Sequence, residues 1–315
     1  MKNFDFHIPK QQMAILQVIC YYDAFNHPLT LDEIKKNSGV IICKAQNLVT
    51  DLNELLEKQL IKCADGHYFL LSKTKTVVEE RLKKEALAKK TMNKAFFFSK
   101  LIGAFPFVEG VCISGSLSKG VLDKDGDVDF FIITKPSRLW VCRSFLILFK
   151  KIFLLNSHKY FCTNYFVDTN NLSIPDKNRF TATEISYLLP VVNYNVYKKF
   201  MQANTWVKDF LPNVPLKDDT HCKTKSKNLL KHFVEFILEG NLGEWADNFF
   251  FKLTLKQWKR KFPAFNEEDF NLNLRTRKTV SKHHPRGYQQ KVLKAQEEKI
   301  QAVLANMRNK LADVA

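Results

Sequence analysis

The chain has 315 residues, of which 45% are hydrophobic, and its 49 Lys and Arg outnumber its 32 Asp and Glu to give a formal net charge of +17. This length is enough for two or three domains, each with a buried core. Its seven cysteines are scattered without CxxC pairs, which argues for reduced thiols and against disulfide frameworks and zinc sites.

Targeting and membrane segments are not predicted. The first twelve residues contain no apolar run of the kind found in signal peptides. The stretch 139–155 is apolar, but Arg143, Lys150 and Lys151 interrupt it, so it predicts a packed helix and not a membrane span. We therefore expect a soluble, cytoplasmic protein without membrane contact.

Residues 1–75 are predicted to form a winged-helix-like domain. Thr30 and Glu33 have the spacing of a helix capping box, and Asp65-Gly66 lies at the centre of a hairpin over 61–71. Such folds commonly bind DNA with the third helix, but residues 1–80 carry a net charge of −1, and only Lys44 and Lys58 flank that helix. This favours a structural or protein-binding domain and leaves a DNA-binding regulator as an alternative.

A long helix over 77–104 is predicted to link this domain to a central domain, which we place at residues 76–175. Its centre reads ISGSLSKGVLDKDGDVDFFI from Ile113 to Ile132. An apolar strand ends in Gly115-Ser116, and Asp127 and Asp129 then open a second apolar strand. Two residues apart on one strand, these carboxylates point to the same face.

The chemistry of a metal-bound triphosphate fits this pattern. Two Mg²⁺ ions about 3.5–4 Å apart can neutralise a polyphosphate and activate a hydroxyl when clustered carboxylates hold them. Asp127 and Asp129 are the predicted metal ligands, with Mn²⁺ as an alternative ion. Gly115 allows close approach of the backbone, and successive N–H groups with the Ser116 hydroxyl can bind the terminal phosphates.

These residues resemble the signature of the DNA polymerase beta-like nucleotidyltransferase superfamily. That signature is a hydrophobic residue with Gly-Gly or Gly-Ser, a gap of about ten residues, and an Asp-hydrophobic-Asp or Glu-hydrophobic run. Gly115-Ser116 and Asp127-Val128-Asp129-Phe130 match it, whereas Ser114 stands where a hydrophobic residue is usual. The resemblance covers about residues 108–168 and implies a small mixed-sheet domain that transfers a nucleotidyl group from a nucleoside triphosphate.

The resemblance also implies a third carboxylate on a neighbouring strand, here 159–168. Asn164 and Asp168 share a face of that strand but lie about 13 Å apart at ~3.3 Å per residue, so only one can reach the metal ions. Asn164 is the better placed, in the middle of the strand, whereas Asp168 precedes a turn-like string. An Asn cannot accept a proton, so the general base would be missing or supplied elsewhere.

Two cations are further candidates for phosphate binding. Lys119 lies one helical turn after Ser116, although a solvent-facing Lys fits equally well. Arg138 follows the second strand at a junction between strand and helix, where it serves either an anion or the helix cap.

Residues 176–315 are predicted to form a basic helical C-terminal domain. Thr181 and Glu184 form a second capping-box pattern, which predicts a helical stretch past Pro190 towards Leu211. The segment 252–294 contains 12 basic and 3 acidic residues with interspersed aromatic residues, a mixture that suits nucleic acid or a solvated helical surface. Cations between Arg275 and Arg286 are positioned to bind a phosphate if this segment covers the active site.

The sequence thus predicts an α/β (α+β) protein in which a small mixed-sheet nucleotidyltransferase domain lies between a winged helix and a helical domain. The expected reaction is Mg²⁺-dependent attack of an acceptor hydroxyl on a nucleoside triphosphate (NTP). The acceptor is open, with a weak preference for nucleic acid, and so is the oligomeric state. A degenerate homologue that senses NTP, a DNA-binding regulator and a defence or toxin–antitoxin component remain as alternatives.

Overall fold

The protein has a mixed α/β fold in the computed structural model, which describes residues 8–42, 45–223 and 228–312. The N-terminal part holds three helices and a small antiparallel sheet of order β1-β3-β2. A long helix, α4, then leads into the central part. The elements are α1 (Lys10–Asp23), β1 (Leu29–Thr30), α2 (Leu31–Asn37), α3 (Ala45–Glu57), β2 (Ile61–Ala64), β3 (His67–Leu70) and α4 (Thr76–Gly103).

Two local sequence signals in the N-terminal part are confirmed. Thr30 accepts a hydrogen bond from the backbone N–H of Glu33, whose side chain in turn accepts from the N–H of Thr30. Asp65 and Gly66 both have positive φ and connect β2 to β3 as a two-residue turn. Lys44 and residues 1–7 lie outside the described residues, and the winged-helix assignment stays a prediction.

The remaining elements build a six-stranded mixed sheet and its covering helices. They are β4 (Val108–Ser114), α5 (Gly115–Ser118), β5 (Asp129–Thr134), α6 (Leu139–Phe153), β6 (Cys162–Asp168), α7 (Arg179–Ser186), β7 (Leu189–Val192), α8 (Tyr194–Ala203), α9 (Val207–Phe210), α10 (Leu229–Ile237), α11 (Asn241–Lys261), α12 (Glu267–Asn273), β8 (Thr276–Arg277), β9 (Val280–Lys282) and α13 (Tyr288–Ala312).

The sheet has the order β7-β4-β5-β6-β9-β8, in which β5 and β6 run parallel and the other neighbouring pairs antiparallel. Three of its strands lie beyond residue 175, so the sheet crosses the predicted domain boundary. The predicted helix through Pro190 is wrong, because this residue lies in β7. Proline lacks a backbone N–H, and an edge strand such as β7 tolerates that loss.

Alternating side chains of the sheet pack into two cores. Val111, Phe130 and Ile132 face the core formed with α4 and α6. Phe131 and Ile133 face the opposite core, formed with α7, α8 and α9. Asp129 continues the second alternation, so its carboxylate belongs to the α7 side of the sheet.

The last helix returns to the N-terminal part. Residues of α13, including Val292 and Met307, join the core of α1 and α3. Lys299 of α13 forms an ion pair with Asp23 of α1. In the described part of the chain, no helix combines the length and the apolar character that crossing a membrane requires.

Candidate active site

The turn at Gly115 is held against Asp129 by the pairing of β4 with β5. Ser114 lies opposite Asp129 in this antiparallel pair, so the chain turns into α5 directly beside that carboxylate. Gly115 has φ of +67°, and a Cβ atom there would lie 2.5 Å from Oδ2 of Asp129. Only glycine therefore fits this position without moving the carboxylate.

The two aspartates precede and open β5. The sequence predicts that Asp127 lies within this strand, but it lies in the loop before it. The alternation of side chains nevertheless continues, because Val128, between Asp127 and Asp129, is fully buried. Burial raises the pKa of Asp129 to about 7, and the nearby charge of Asp127 contributes to this rise. The paired carboxylates thus form a local concentration of negative charge that a cation would relieve.

Asn164 reaches this pair because β6 is irregular at this point. Phe130 lies opposite Thr163 and Phe131 opposite Tyr165, so Asn164 is the extra residue of a bulge. Bulges often re-aim a side chain next to a functional site. The Asn164 amide donates a hydrogen bond of 2.7 Å from Nδ2 to Oδ1 of Asp129.

The other side of the Asn164 amide is also occupied. Its Oδ1 accepts a hydrogen bond from the thiol of Cys162, with Sγ at 3.3 Å. Burial raises the pKa of this thiol to about 12, so the sulfur keeps the proton that it donates. In this arrangement Asn164 offers its N–H group to Asp129 and turns its carbonyl oxygen away.

Lys119 and Glu184 form an ion pair next to the glycine turn. Lys119 Nζ lies 3.0 Å from the carbonyl oxygen of Gly115 and 2.9 Å from Oε1 of Glu184. Lys119 therefore holds the turn in place, and its charge is partly neutralised. The sequence had assigned Glu184 to a capping box with Thr181, which is wrong because α7 begins at Arg179 and Asn178 caps it.

Lys150 and His158 are functional candidates that the sequence did not single out. Lys150 Nζ lies 3.3 Å from Nδ1 of His158, which lies 3.7 Å from Sγ of Cys162. Burial lowers the pKa of both Lys150 and His158, while the charge of Asp127 acts on both in the opposite direction. The charge of Lys150 therefore acts on Asp127, whereas the sequence predicts only a packed helix over 139–155.

Asp168 is not part of the site. Because β6 runs parallel to β5, Asp168 pairs with Thr134, whereas Cys162 pairs with Asp129. Asp168 is buried at the other end of the strand, where its Oδ1 accepts from the N–H of Asn170 and from Asn171. It is a turn residue, and its prediction as a metal-site carboxylate is corrected.

Arg138 is likewise distant from the aspartates and already bonded. It follows the C-terminal end of β5, whereas Asp129 opens that strand. Its guanidinium donates to the carbonyl oxygens of residues 238–240, at the end of α10. Arg138 therefore caps a helix, and its prediction as a phosphate ligand is corrected.

The basic segment 252–294 divides into paired and exposed cations. Arg275 and Lys282 bind the carboxylate of Asp176, and Lys278 binds that of Asp247. Trp258 is buried and so cannot stack on a base. The exposed cations of the segment are Lys252, Lys256, Lys259, Arg260, Lys261, Arg277, Arg286, Lys291 and Lys294. Contact with nucleic acid stays a prediction for these.

The aspartate pair offers oxygen donors to a divalent ion. The oxygens of Asp127 and Asp129 suit Mg²⁺, which takes hard oxygen ligands and keeps several waters. Across residues 8–42, 45–223 and 228–312, no group of three or more His, Cys, Asp or Glu side chains is arranged to hold a metal ion. The two carboxylates fit a divalent ion that completes its coordination with waters and phosphate oxygens.

Comparison with known proteins agrees with this geometry. Residues 98–234 match the family model of the nucleotidyltransferase domain. No curated protein and no solved structure matches the chain significantly. The matched segment runs from α4 to α10 and contains the glycine turn, both aspartates and Asn164. The match supports the nucleotidyltransferase superfamily and places a nucleotidyltransferase domain in the middle of this chain.

Proposed function

We propose that the protein is a Mg²⁺-dependent nucleotidyltransferase that moves a nucleoside monophosphate from an NTP to an acceptor hydroxyl. The observation that carries this proposal is the contact between the Gly115 turn and Asp129, which leaves no room for a Cβ atom. A backbone turn packed against two carboxylates suits a phosphate chain that shares a divalent ion with those carboxylates.

In the proposed complex each group has a distinct task. Asp127 and Asp129 bind Mg²⁺, which when bound lowers the negative charge of the phosphates. The backbone at Gly115 and the hydroxyl of Ser116 hold the β- and γ-phosphates. Lys119 keeps the turn in position through the Gly115 carbonyl oxygen. We assign Lys150 to the electrostatic balance of the site, because its charge and that of Asp127 attract each other.

The transfer step needs a general base, and no side chain of the site is assigned to that role. The acceptor oxygen bonds to the α-phosphorus, the bond between the α-phosphorus and its bridging oxygen breaks, and pyrophosphate leaves. The hydroxyl proton must pass to a base, and the amide of Asn164 cannot take it. We assign this proton to water. Nucleotidyl transfer should then be slow, and its rate should rise with pH.

A second candidate function is NTP binding without transfer. Asn164 favours it, because its N–H group faces Asp129 and its carbonyl oxygen accepts from Cys162. With this arrangement the two aspartates can still bind the ion that accompanies the triphosphate, but Asn164 offers no oxygen to a second ion that would activate an acceptor hydroxyl. Such a protein would report NTP levels to a partner.

The surface charge bears on the class of acceptor. The exposed cations of α11 and α13 favour a polyanion such as RNA or DNA. Ion pairing withdraws Arg275, Lys278 and Lys282 from that role. We therefore propose a nucleic acid acceptor. Transfer of label to protein in the experiment below would contradict this choice.

The test is transfer of α-labelled ATP, CTP, GTP and UTP to total RNA, DNA and protein with Mg²⁺ or Mn²⁺. Three proteins are compared: wild type, Asp127→Asn/Asp129→Asn, and Asn164→Asp, which restores a third carboxylate. We expect label transfer by the wild type, faster transfer by Asn164→Asp, and none by the double variant.

Binding measurements separate the two candidate functions. Titration with a non-hydrolysable NTP analogue and Mn²⁺ gives the number of ions bound per chain, independently of activity. One ion in the wild type and two in Asn164→Asp, with no transfer by the wild type, would establish the binding function. Absence of any metal-dependent NTP binding in the wild type contradicts both.

A further inference from the structure

Helix α10 turns its apolar side chains to solvent. Leu229, Leu230, Phe233, Phe236 and Ile237 recur at helical spacing and occupy one stripe. Leu229 is 85% exposed and Phe236 is 77% exposed. A helix on the surface of a lone globular protein normally turns such a stripe to the core, so α10 is inverted in the isolated chain.

The opposite side of α10 fixes this orientation with polar contacts. Lys231 is buried, and its Nζ donates to the carbonyl oxygens of Gly103 and Val108 at 3.1 and 2.8 Å. Glu235 Oε1 accepts from the backbone N–H of Phe107 at 2.6 Å. These bonds satisfy backbone groups at the end of α4 and the start of β4. Because both charged side chains point inward, the apolar stripe must point outward.

Helix α11 follows after the turn 238–240 and carries a second exposed apolar stripe. Leu242, Trp245, Phe249 and Leu253 share one exposed side of α11, and the rings of Trp245 and Phe249 stack with centroids 5.7 Å apart. The other side packs on α6, where Asp247 accepts from the N–H groups of Trp140 and Val141. The nine apolar side chains of α10 and α11 are called the outer apolar surface below.

The extent of the outer apolar surface matches an interface between subunits. At about 100 Å² exposed for each large side chain, nine of them leave on the order of 1,000 Å² open to water. The largest apolar patch of a typical monomer is about 300–600 Å². A standard protein interface buries about 800 Å² on each partner. This surface is therefore large enough for a stable dimer and unusually large for a lone chain.

We propose that the outer apolar surface is the contact between two copies of this chain, related by a twofold axis. The single Lys of α10 is bonded inside the protein, so the stripe of this helix turns no Lys or Arg towards its partner, whereas α11 has the exposed Lys252 and Lys256 one turn from Phe249 and Leu253. Helices that bind anionic bilayers flank their apolar stripe with Lys and Arg along its length, an arrangement that α10 lacks. A second α10 offers a surface of the same apolar character, and an isologous contact brings the two together.

The oligomeric state of the full chain tests the proposal directly. Sedimentation equilibrium and light scattering are measured from about 1 to 100 µM, a range that covers moderate affinities. We expect twice the chain mass of 36.7 kDa. Leu230→Glu and Phe236→Glu should each weaken dimerisation by about 100-fold or more, because each puts a charge in the apolar contact. Leu82→Glu is the matched control on α4, where Leu82 is also exposed.

The variants also separate assembly from folding. All three substitutions are at exposed positions, so their unfolding temperatures measured at low protein concentration should agree with the wild type within a few degrees. A Phe233→Cys chain should form a disulfide-linked dimer under mild oxidation more completely than the wild type, whose own thiols provide the background.

Two results would overturn the proposal. One is a monomer at every concentration. The other is a monomer that floats with vesicles of phosphatidylcholine and phosphatidylglycerol and loses this binding in Phe236→Glu, which would assign the surface to a bilayer. Neither result bears on NTP binding, since none of these residues belongs to the candidate active site.

Discussion

The charged side chains at the two ends of strand β5 differ in how their charges are compensated. At the aspartate end, defined by Gly115, Asp127, Asp129 and Asn164, burial and the charge of Asp127 raise the pKa of Asp129 to about 7. At the capping end, defined by Arg138, Asp168 and Asp247, each side chain is bonded to backbone groups. Burial also raises the pKa of Asp168, but its hydrogen bonds to residues 170 and 171 oppose that rise, whereas the charge of Asp127 adds to the rise at Asp129. The aspartate end is therefore the end that a bound cation would relieve.

This difference separates structural from functional charge. A buried carboxylate with several donors stabilises the fold, because its desolvation is compensated. Asp247 is such a group, since it caps α6 through two backbone N–H groups and binds Lys278. A carboxylate whose pKa is raised by burial and by a neighbouring like charge costs stability, and this cost is typical of sites that bind a ligand.

The largest expected effect is on the aspartate end. Asp129→Asn should reduce Mg²⁺-dependent NTP affinity by roughly 100-fold or more, because a ligand of the ion is lost, a loss comparable to removing one preorganised electrostatic contact. Its thermal stability should not fall, since the substitution removes a buried charge that Asp127 repels. Calorimetric titration and thermal unfolding check the two expectations. A variant that keeps NTP affinity, or that unfolds well below the wild type, contradicts the assignment of this end.

Asp247→Asn should show the opposite behaviour at the capping end. Loss of the charge-assisted bonds to Lys278 and to two backbone N–H groups should lower the free energy of unfolding by about 3 kcal/mol, since one partner of a buried pair is removed. NTP affinity should stay within about twofold, because the substitution is remote from the site. Denaturant unfolding and NTP titration of the same preparation test this. If NTP affinity falls tenfold while stability holds, the two ends are not separate.

The sequence predicts the aspartate end better than the capping end for a physical reason. Gly115 directly follows β4, and Asp127 and Asp129 precede and open β5, so all three lie close in sequence, and the alternation of side chains already sets the face of each carboxylate. The position of Asp168 depends on the direction in which β6 runs beside β5, and residue spacing carries no information about that direction. The spacing leaves open whether Arg138 binds an anion or caps a helix, because the carbonyl group of Leu238 that it binds lies 100 residues later in the chain.

Other parts of the site depend on tertiary contacts that local patterns do not encode. The bulge at Asn164 exists only relative to β5, and it determines which way the amide points. Glu184 reaches Lys119 across a distance of 65 residues in the chain. A local signal was nevertheless present for this helix. Asn178 belongs to a residue type that is strongly preferred at the N-cap, and a helix that begins after Asn178 does not need Glu184 as a capping residue.

A substitution at the glycine turn separates backbone strain from contact with the site. Gly115→Ala places a methyl group 2.5 Å from Oδ2 of Asp129 in a backbone with φ of +67°. We expect a stability loss of about 1–2 kcal/mol from the positive φ, together with a fall in NTP affinity of about tenfold as Asp129 shifts. Gly120→Ala is the matched control, because Gly120 has φ of +82° and nothing within 4 Å of its added Cβ. Equal NTP affinities for the two variants would show that the contact with Asp129 has no role in binding.

The smallest expected effect concerns His284, which lies beside the aspartate end and faces the ring of Tyr165. Burial lowers the pKa of His284 from 6.5 to about 4. Between these two values the unfolded chain binds more protons than the folded one, so the contribution of His284 is complete above about pH 6.5 and is lost as the pH falls towards 4. At pH 5 this loss should be on the order of 1–2 kcal/mol, because pH 5 lies about 1.5 units below the unfolded pKa and each unit corresponds to about 1.4 kcal/mol. His284→Gln should therefore lose less stability than the wild type between pH 7.5 and 5, measured by denaturant unfolding. If His284→Gln and the wild type lose the same stability between pH 7.5 and 5, protonation of His284 does not destabilise the fold, and other groups cause its sensitivity to acid.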